Sequence, residues 1–124
     1  MWFHHMQLAM PRGGEPDARR FYRDLLGLEE MPKPPELAAR GGCWFHRDDV
    51  ELHLRVEEPF SAARKAHPAM AVTDLDDVQR RLQEDGHEVV VDELLPGSRR
   101  IYTSDPFGNR IELIQARPGT EPLS

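Results

Sequence analysis

The chain has 124 residues, of which 39% are hydrophobic and 31% are charged, so it is long enough for one compact domain with its own core. Its formal net charge of −6 argues against nonspecific nucleic-acid binding, and no apolar run approaches the roughly 20 residues of a membrane span. The N-terminus lacks the pattern of a signal peptide, and a single cysteine excludes an internal disulfide framework. We therefore expect a cytoplasmic protein in which Cys43 is a buried small hydrophobe.

The first half of the chain has the pattern of one strand, one helix and three further strands. Apolar residues between Ala18 and Leu26 follow helical spacing, Pro16 suits the first turn of that helix, and Gly27 suits its C-terminal cap. Arg47-Asp48-Asp49 is a predicted hairpin turn. The predicted strands cover residues 2–10, 28–31, 43–46 and 50–56.

The second half repeats this order after a connector. Asp74 is a good N-cap for a helix that ends near Gly86, with an apolar stripe on one face. The predicted strands cover residues 69–73, 88–91, 99–104 and 110–115, and we expect a frayed tail over 118–124.

The turn Asp105-Pro106-Phe107-Gly108-Asn109 and the strand after it draw attention to Glu112. In this strand Ile111 and Leu113 alternate with Arg110 and Glu112, which is the two-residue period of a half-buried strand. A carboxylate on the inward face of a strand is costly unless it is paired or binds a cation. Glu112 is therefore either a cation ligand or the partner of an arginine, with Arg55 and Arg110 as the alternatives.

The two halves can be aligned as a repeat. Gly27 lies 26 positions before His53, and Gly86 lies 26 positions before Glu112. His5 precedes Gly27 by 22 positions and His67 precedes Gly86 by 19, a difference that the longer loop of the first half absorbs. On this alignment His5 corresponds to His67, and His53 corresponds to Glu112.

Four segments carry a resemblance to a known family. They are His5-Met6-Gln7-Leu8, the helix Phe21-Tyr22-Arg23-Asp24-Leu25-Leu26-Gly27-Leu28, His67-Pro68-Ala69-Met70-Ala71-Val72, and the terminal turn and strand 105–113. With them the chain resembles the vicinal oxygen chelate superfamily, which includes glyoxalase I, extradiol dioxygenases, and fosfomycin and bleomycin resistance proteins. The resemblance implies an α+β fold of two βαβββ modules whose curled open sheets surround a cavity. It implies a single domain over 1–117, with module one at 1–58, a linker at 59–66 and module two at 67–117.

The resemblance also implies a divalent metal site. One ligand comes from the first strand of each module and one from the last, which gives His5, His53, His67 and Glu112. Glyoxalase I usually has a glutamate at the position of His53, so Glu51, which has the same strand parity, is the alternative fourth ligand. Imidazole and carboxylate donors suit Zn²⁺, Ni²⁺, Mn²⁺, Fe²⁺ or Co²⁺.

Other polar residues of these strands are candidates for substrate contacts and catalysis. Glu51 is a candidate general base, and Glu112 is a candidate catalytic carboxylate through the metal that it holds. If arginines face the cavity, they favour a small anionic or polyoxygenated ligand; otherwise they are solvated partners of acidic residues. The candidate substrate-binding residues are Arg55, Arg100, Tyr102 and Arg110.

Three functions are compatible with this pattern. The first is a metal-dependent isomerase or lyase in which the metal acts as a Lewis acid on a small oxygenated substrate. The second is an extradiol-type dioxygenase that uses His5, His67 and Glu112 as a triad, and the third is a metal-free drug- or metabolite-binding protein. We expect a small-molecule partner, neither nucleic acid nor membrane, and a homodimer. The path of the linker decides whether modules pair within one chain or across the dimer.

Overall fold

The computed structural model of the protein describes residues 1–94 and 97–117. The predicted tail over 118–124 lies outside the described residues. The elements are β1 (Met6–Met10), α1 (Glu15–Ala18, continued by a π-helical segment Arg19–Leu25), β2 (Glu29–Met31), α2 (Pro35–Ala38), β3 (Cys43–Arg47), β4 (Val50–Val56), β5 (Ala69–Val72), α3 (Leu75–Glu84), β6 (Val90–Asp92), β7 (Arg100–Ser104) and β8 (Arg110–Gln115).

The strands form two four-stranded mixed sheets, one from each half of the chain. The strand order is β1-β4-β3-β2 in the first sheet and β5-β8-β7-β6 in the second. In each sheet the first strand is parallel to the last, and the remaining pairs are antiparallel. The prediction of an α+β fold with two βαβββ modules and open sheets is therefore confirmed.

The first strand and the segment after β2 differ from their predictions. β1 starts at Met6, which pairs with Leu52, so the predicted start at residue 2 was wrong and His5 precedes the ladder. The single helical turn α2 was not predicted; Pro34 is extended, at φ −55° and ψ 145°, and the turn starts at Pro35. In the described part of the chain, none of the helices combines the length and the apolar character that crossing a bilayer requires.

One core lies between the helices and one face of each sheet. Leu52 and Leu54 from β4 and Ile111 and Leu113 from β8 are at most 1% exposed, and alternation turns these side chains to the core face. The buried residues that α1 and α3 add are Ala18, Phe21, Tyr22, Leu75, Val78 and Leu82. The predicted burial of Cys43 is confirmed at 1% exposure.

The helices of the two modules pack against each other. The ring of Phe21, in α1, lies 5.0 Å from the ring of His87, which follows α3, and Arg20 forms an ion pair with Asp85. Because the helices meet in the centre, the opposite face of each sheet is turned away from the shared core. His53 and Glu112 lie on these opposite faces, since they alternate with the buried leucines and isoleucine of β4 and β8.

The turn before β8 ties the second module to the first. Tyr22 in α1 donates a hydrogen bond from its hydroxyl to Asp105 Oδ2 at 2.6 Å. Asn109, which is fully buried, donates from Nδ2 to the backbone oxygen of Ala9 at 2.8 Å and accepts from the backbone nitrogen of Ala63 at 2.9 Å. Side chains of this turn therefore fix the start of β8 relative to α1, β1 and the linker.

Candidate metal and ligand site

Histidines and carboxylates occupy equivalent positions on the two sheets. His53 lies opposite the residue two positions after His5, and Glu112 lies opposite the residue two positions after His67. The strand register therefore makes His5 equivalent to His67 and His53 equivalent to Glu112, in agreement with the spacing in the sequence. We call the polar faces around these residues the first half-site (His4, His5, Trp44, Glu51, His53) and the second half-site (His67, Arg100, Tyr102, Arg110, Glu112).

Stacked rings and one carboxylate make up the first half-site. The ring of His53 lies between that of Trp44, 4.4 Å away with an interplanar angle of 11°, and that of His5, 4.3 Å away at 14°. Trp44 reaches this place because it pairs directly with His53 across β3 and β4. Glu51 Oε2 accepts a hydrogen bond from His53 Nε2 at 2.9 Å. The rings thus hold His53 in one orientation with its Nε2 directed at the carboxylate.

The environment of His53 favours its neutral form. Burial is the largest effect and lowers the pKa of His53, while the hydrogen bond to Glu51 raises it and the neighbouring His5 lowers it again. The neutral imidazole is the form that binds metals. Near neutral pH, His53 can therefore bind a metal without first releasing a proton from a charged ring.

His4 also belongs to this half-site, although alternation along a strand that contains His5 would place it on the opposite face. His4 Nδ1 lies 3.0 Å from His5 Nδ1 and 4.0 Å from Glu51 Oε2. The parity rule does not apply here, because both histidines precede β1 and are not held by the ladder. Recognising that the strand starts at Met6 would have been needed to find His4 from the sequence.

The second half-site is built around a buried carboxylate. Glu112 is 5% exposed; its Oε1 lies 2.8 Å from His67 Nε2, and its Oε2 accepts a hydrogen bond from Arg100 Nη1 at 2.8 Å. The alternative partners Arg55 and Arg110 were therefore wrong. Arg100 and Tyr102 share the face of Glu112, because Tyr102 pairs directly with Glu112 across β7 and β8. The guanidinium of Arg110 lies 4.2 Å from the centre of the Tyr102 ring.

The hydrogen bonds of His67 define its free nitrogen. Its Nδ1 lies 2.7 Å from the backbone oxygen of Lys65, which can only accept, so Nδ1 carries a proton. In a neutral ring, Nε2 then presents a lone pair to the Glu112 oxygen. An unprotonated Nε2 and a carboxylate oxygen repel each other at 2.8 Å. This contact therefore requires either a second proton on the His67 ring or a cation bound to both atoms. A backbone carbonyl that fixes the far ring nitrogen is the usual arrangement of a metal-bound histidine.

Arg100 neutralises Glu112 but is itself incompletely satisfied. Its Nη2 donates to Ser98 Oγ at 2.7 Å, whereas its Nε is buried and has no hydrogen-bond partner among the described residues. A buried guanidinium with an unused donor is suited to an additional acceptor, such as an oxygen of a bound anion.

The four predicted ligands come together as two pairs on separate sheets. His5 stacks on His53 in the first half-site, and His67 contacts Glu112 in the second. A cavity of about 110 Å³ beside the first half-site is lined by Trp44, His53 and Arg55 with other residues of module one. A cavity of about 530 Å³ beside the second is lined by Tyr102 and Arg110 with neighbours from module two and the linker. Separate cavities therefore lie beside the two half-sites.

Comparison with known proteins identifies the family. The model of the Glyoxalase/Bleomycin resistance protein/Dioxygenase superfamily matches residues 2–113, whereas no curated protein matches the chain at a significant level. A solved structure assigned to the glyoxalase family, from Bacillus anthracis, is 45% identical, with a TM-score of 0.88 over 94% of this chain and 96% of that one.

Two further structures are more distant. TnmS3, an antibiotic binding protein from Streptomyces sp. CB03234, is 25% identical, with a TM-score of 0.69 over 94% of this chain and 98% of that one. The fosfomycin resistance protein FosX from Listeria monocytogenes shares the fold, at 16% identity and a TM-score of 0.75 over 94% of each chain. Because the family model covers most of its length, this chain belongs to the Glyoxalase/Bleomycin resistance protein/Dioxygenase superfamily.

Proposed function

We propose that the protein binds a divalent metal through His5, His53, His67 and Glu112 and acts on a small oxygenated substrate by isomerase- or lyase-type chemistry. The observation that carries this proposal is the equivalence of the two half-sites. Each sheet presents a histidine before its first strand and a second ionisable residue at the same register of its last strand.

The donor chemistry of these residues fits a divalent metal. His67 Nε2 and the Oε1 oxygen of Glu112 lie 2.8 Å apart, and the His67 Nδ1 is hydrogen-bonded to the backbone oxygen of Lys65. His53 is favoured as a neutral imidazole. Nitrogen and oxygen donors of this kind suit Zn²⁺, Ni²⁺, Mn²⁺, Fe²⁺ or Co²⁺. When bound, the metal would supply Lewis-acid polarisation of the substrate oxygens.

The side chains around the ligands have separate roles in this proposal. Arg100 stabilises the Glu112 carboxylate and directs a spare N–H at a substrate oxygen. Tyr102, held under the guanidinium of Arg110, forms one wall, and Arg55 on the face of His53 adds positive charge. Glu51 accepts from His53 at 2.9 Å and serves as the general base that takes a proton from the substrate.

We further propose that a homodimer joins the first half-site of one chain to the second half-site of its partner. The two polar faces point away from one shared core, which supports completion of the site by a second copy rather than within one chain.

Mixing two defective variants tests this arrangement. The variants His53→Ala and Glu112→Ala each remove one donor from every site. In a co-refolded equal mixture, half of the dimers contain one chain of each kind, and one of the two sites in such a dimer is intact. About a quarter of all sites should therefore regain tight metal binding, as measured by elemental analysis after gel filtration. Sites built within one chain would regain none.

Metal content of the unmodified protein is the primary test of the function. We expect protein purified without a histidine tag to carry stoichiometric metal that survives gel filtration and to turn over α-ketoaldehyde adducts. This tightly bound metal should be lost in both His53→Ala and Glu112→Ala. Retention of metal in His53→Ala alone, with oxygen uptake on a catechol, would support the extradiol dioxygenase instead. Absence of metal even after reconstitution would contradict both enzymes.

A metal-free binding protein is the second candidate, and one observation favours it. Arg100 and His67 already occupy both oxygens of Glu112, so the carboxylate is satisfied without a metal. Tight ligand binding that is insensitive to chelator, without turnover, would support this function.

A further inference from the structure

The His4–His5–Glu51 cluster suggests a metal site that belongs to the first module alone. One donor atom from each of these residues lies within 4.8 Å of the other two, and in the described residues this is the only such group of three histidine, cysteine or acidic side chains. The donors are two Nδ1 nitrogens and a carboxylate oxygen. We propose that His4, His5 and Glu51 capture a divalent cation without any residue of the second half-site.

The spacing of the donors supports this proposal. A tetrahedral site with bonds of about 2.0–2.1 Å needs donor atoms roughly 3.3 Å apart. The distances from His4 Nδ1 are 3.0 Å to His5 Nδ1 and 4.0 Å to Glu51 Oε2, so small side-chain movements would bring the donors to coordination distance. The rings of His4 and His5 lie nearly perpendicular, at 84°, with their centroids 5.2 Å apart.

The local chain conformation allows two consecutive residues to bind one ion. Consecutive side chains of a strand point to opposite faces, but His4 and His5 precede β1 and have no ladder partner. The stack of His5 on His53 fixes one ring, and the hydrogen bond from His53 positions the carboxylate of Glu51. The third ligand, His4, has a side chain that is 80% exposed and is free to reorient.

This capture site shares His5 with the metal site of the proposed function, but it does not need the dimer or the second half-site. Because the cluster is open to solvent, it can take up the ion before the two half-sites meet. His4 binds the ion only at the capture site, whereas the four proposed ligands hold it in the completed site of the dimer.

Cobalt titration of a chain without the second half-site tests the inference. In the double variant His67→Ala/Glu112→Gln, added Co²⁺ should still bind one equivalent per chain in titration, as seen in its visible absorption, but more weakly than the completed site, so that this metal is lost on gel filtration. Adding His4→Ala should weaken this binding at least about tenfold, since even changes behind the ligands cost 10–100-fold. Long-range ¹H–¹⁵N spectra of the Zn²⁺-bound double variant should assign the His4 contact to Nδ1.

His87→Ala in the same double variant is the matched control, because His87 follows α3 in the second module and forms its ion pair with Asp85. It should leave the affinity unchanged; an equal loss in this control would overturn the role of His4. Binding by the wild type but not by the double variant would overturn the capture site and leave the proposed function standing. Absence of binding in both would overturn the capture site and the proposed metal dependence together. Binding by the double variant without wild-type turnover would support the capture site alone.

Discussion

The two half-sites have the same strand register and opposite electrostatic character. In the first, His53 is sandwiched between aromatic rings, and its pKa is lowered chiefly by burial. In the second, the equivalent residue is Glu112, a buried anion held by Arg100 and His67. At this register, the first half thus presents an imidazole favoured in its neutral form, and the second presents a carboxylate that is already paired.

This difference shows which part of each half-site the backbone determines. Register determines where the donor lies, whereas the residue two positions before it on the same strand or two positions away on the neighbouring strand supplies its charged hydrogen-bond partner. Glu51 performs this role for His53 on the same strand, and Arg100 performs it for Glu112 from β7. Mutations in these supporting residues should therefore affect the two half-sites more differently than mutations in the donors do.

Replacing Arg100 by methionine should produce the largest difference between the half-sites. The change leaves Glu112 buried with His67 as its remaining partner, and removing one member of a buried ion pair costs roughly 3 kcal/mol or more of unfolding free energy. Urea denaturation of the metal-free protein measures the loss. The matched variant Arg55→Met removes an exposed arginine from the first sheet and should change stability by less than about 0.5 kcal/mol.

A second substitution identifies the origin of this loss. If the cost arises from an unpaired buried charge, Arg100→Met combined with Glu112→Leu should recover much of the stability, because an apolar pair has no charge to compensate. A double variant as unstable as Arg100→Met would show that packing of the arginine side chain, rather than charge, stabilises this half-site.

The second largest effect should be the contribution of His53 to the pH dependence of the unfolding free energy. Because its pKa is lowered in the folded state, the unfolded chain binds more protons at mildly acidic pH. The stabilising contribution of His53 is therefore complete above pH 6.5, the ordinary histidine value, and is lost as the pH falls through its lower native pKa. In chelator-treated protein, His53→Gln should show a shallower decrease in unfolding free energy below pH 6.5 than the wild type.

Proton NMR provides the direct check on the same residue. The His53 Hε1 resonance should titrate with a midpoint below 6.5. A midpoint at or above 6.5 would mean that Glu51 outweighs burial, and the first half-site would then be cationic near neutrality rather than a neutral donor.

The smallest expected effect concerns Cys43, which is next to Trp44 but faces the core. Burial raises the pKa of this thiol to about 11, so iodoacetamide should modify it on the order of 100-fold more slowly at pH 8 in native protein than in urea. The Co²⁺-loaded protein should also lack a thiolate charge-transfer band. Rapid native modification would show that the core face and the polar face of the first sheet are not separated.

The repeat in the sequence predicted the order of the elements and the equivalence of the half-sites, and the family resemblance supplied the arrangement of the sheets. The distance of 26 residues from Gly27 to His53 and from Gly86 to Glu112 corresponds to the same strand register in both modules. Alternation in β8 likewise predicted the face of Glu112. These features are local, because they depend on chain length and strand period alone.

The features that the sequence did not predict depend on contacts between elements. The pairing of Arg100 with Glu112 needs the register of β7 against β8, and parity alone gives only two possible faces. The convergence of His4 on His5 depends on where β1 starts, and strand ends are the least certain part of any pattern. The orientation of the two polar faces follows from the packing of α1 against α3, which neither helix specifies by itself.

The hydrogen-bonded turn at residues 105–109 limits how freely the duplicated halves can be recombined. A second module transferred into another member of the family would carry Asp105 and Asn109 with it. In a host without a hydroxyl at the place of Tyr22, Asp105 would lose a buried donor, and a changed backbone near Ala9 would leave Asn109 unpaired. Chimeras of this fold should therefore exchange the first-module helix together with the last hairpin, although these segments lie some 80 residues apart in the chain.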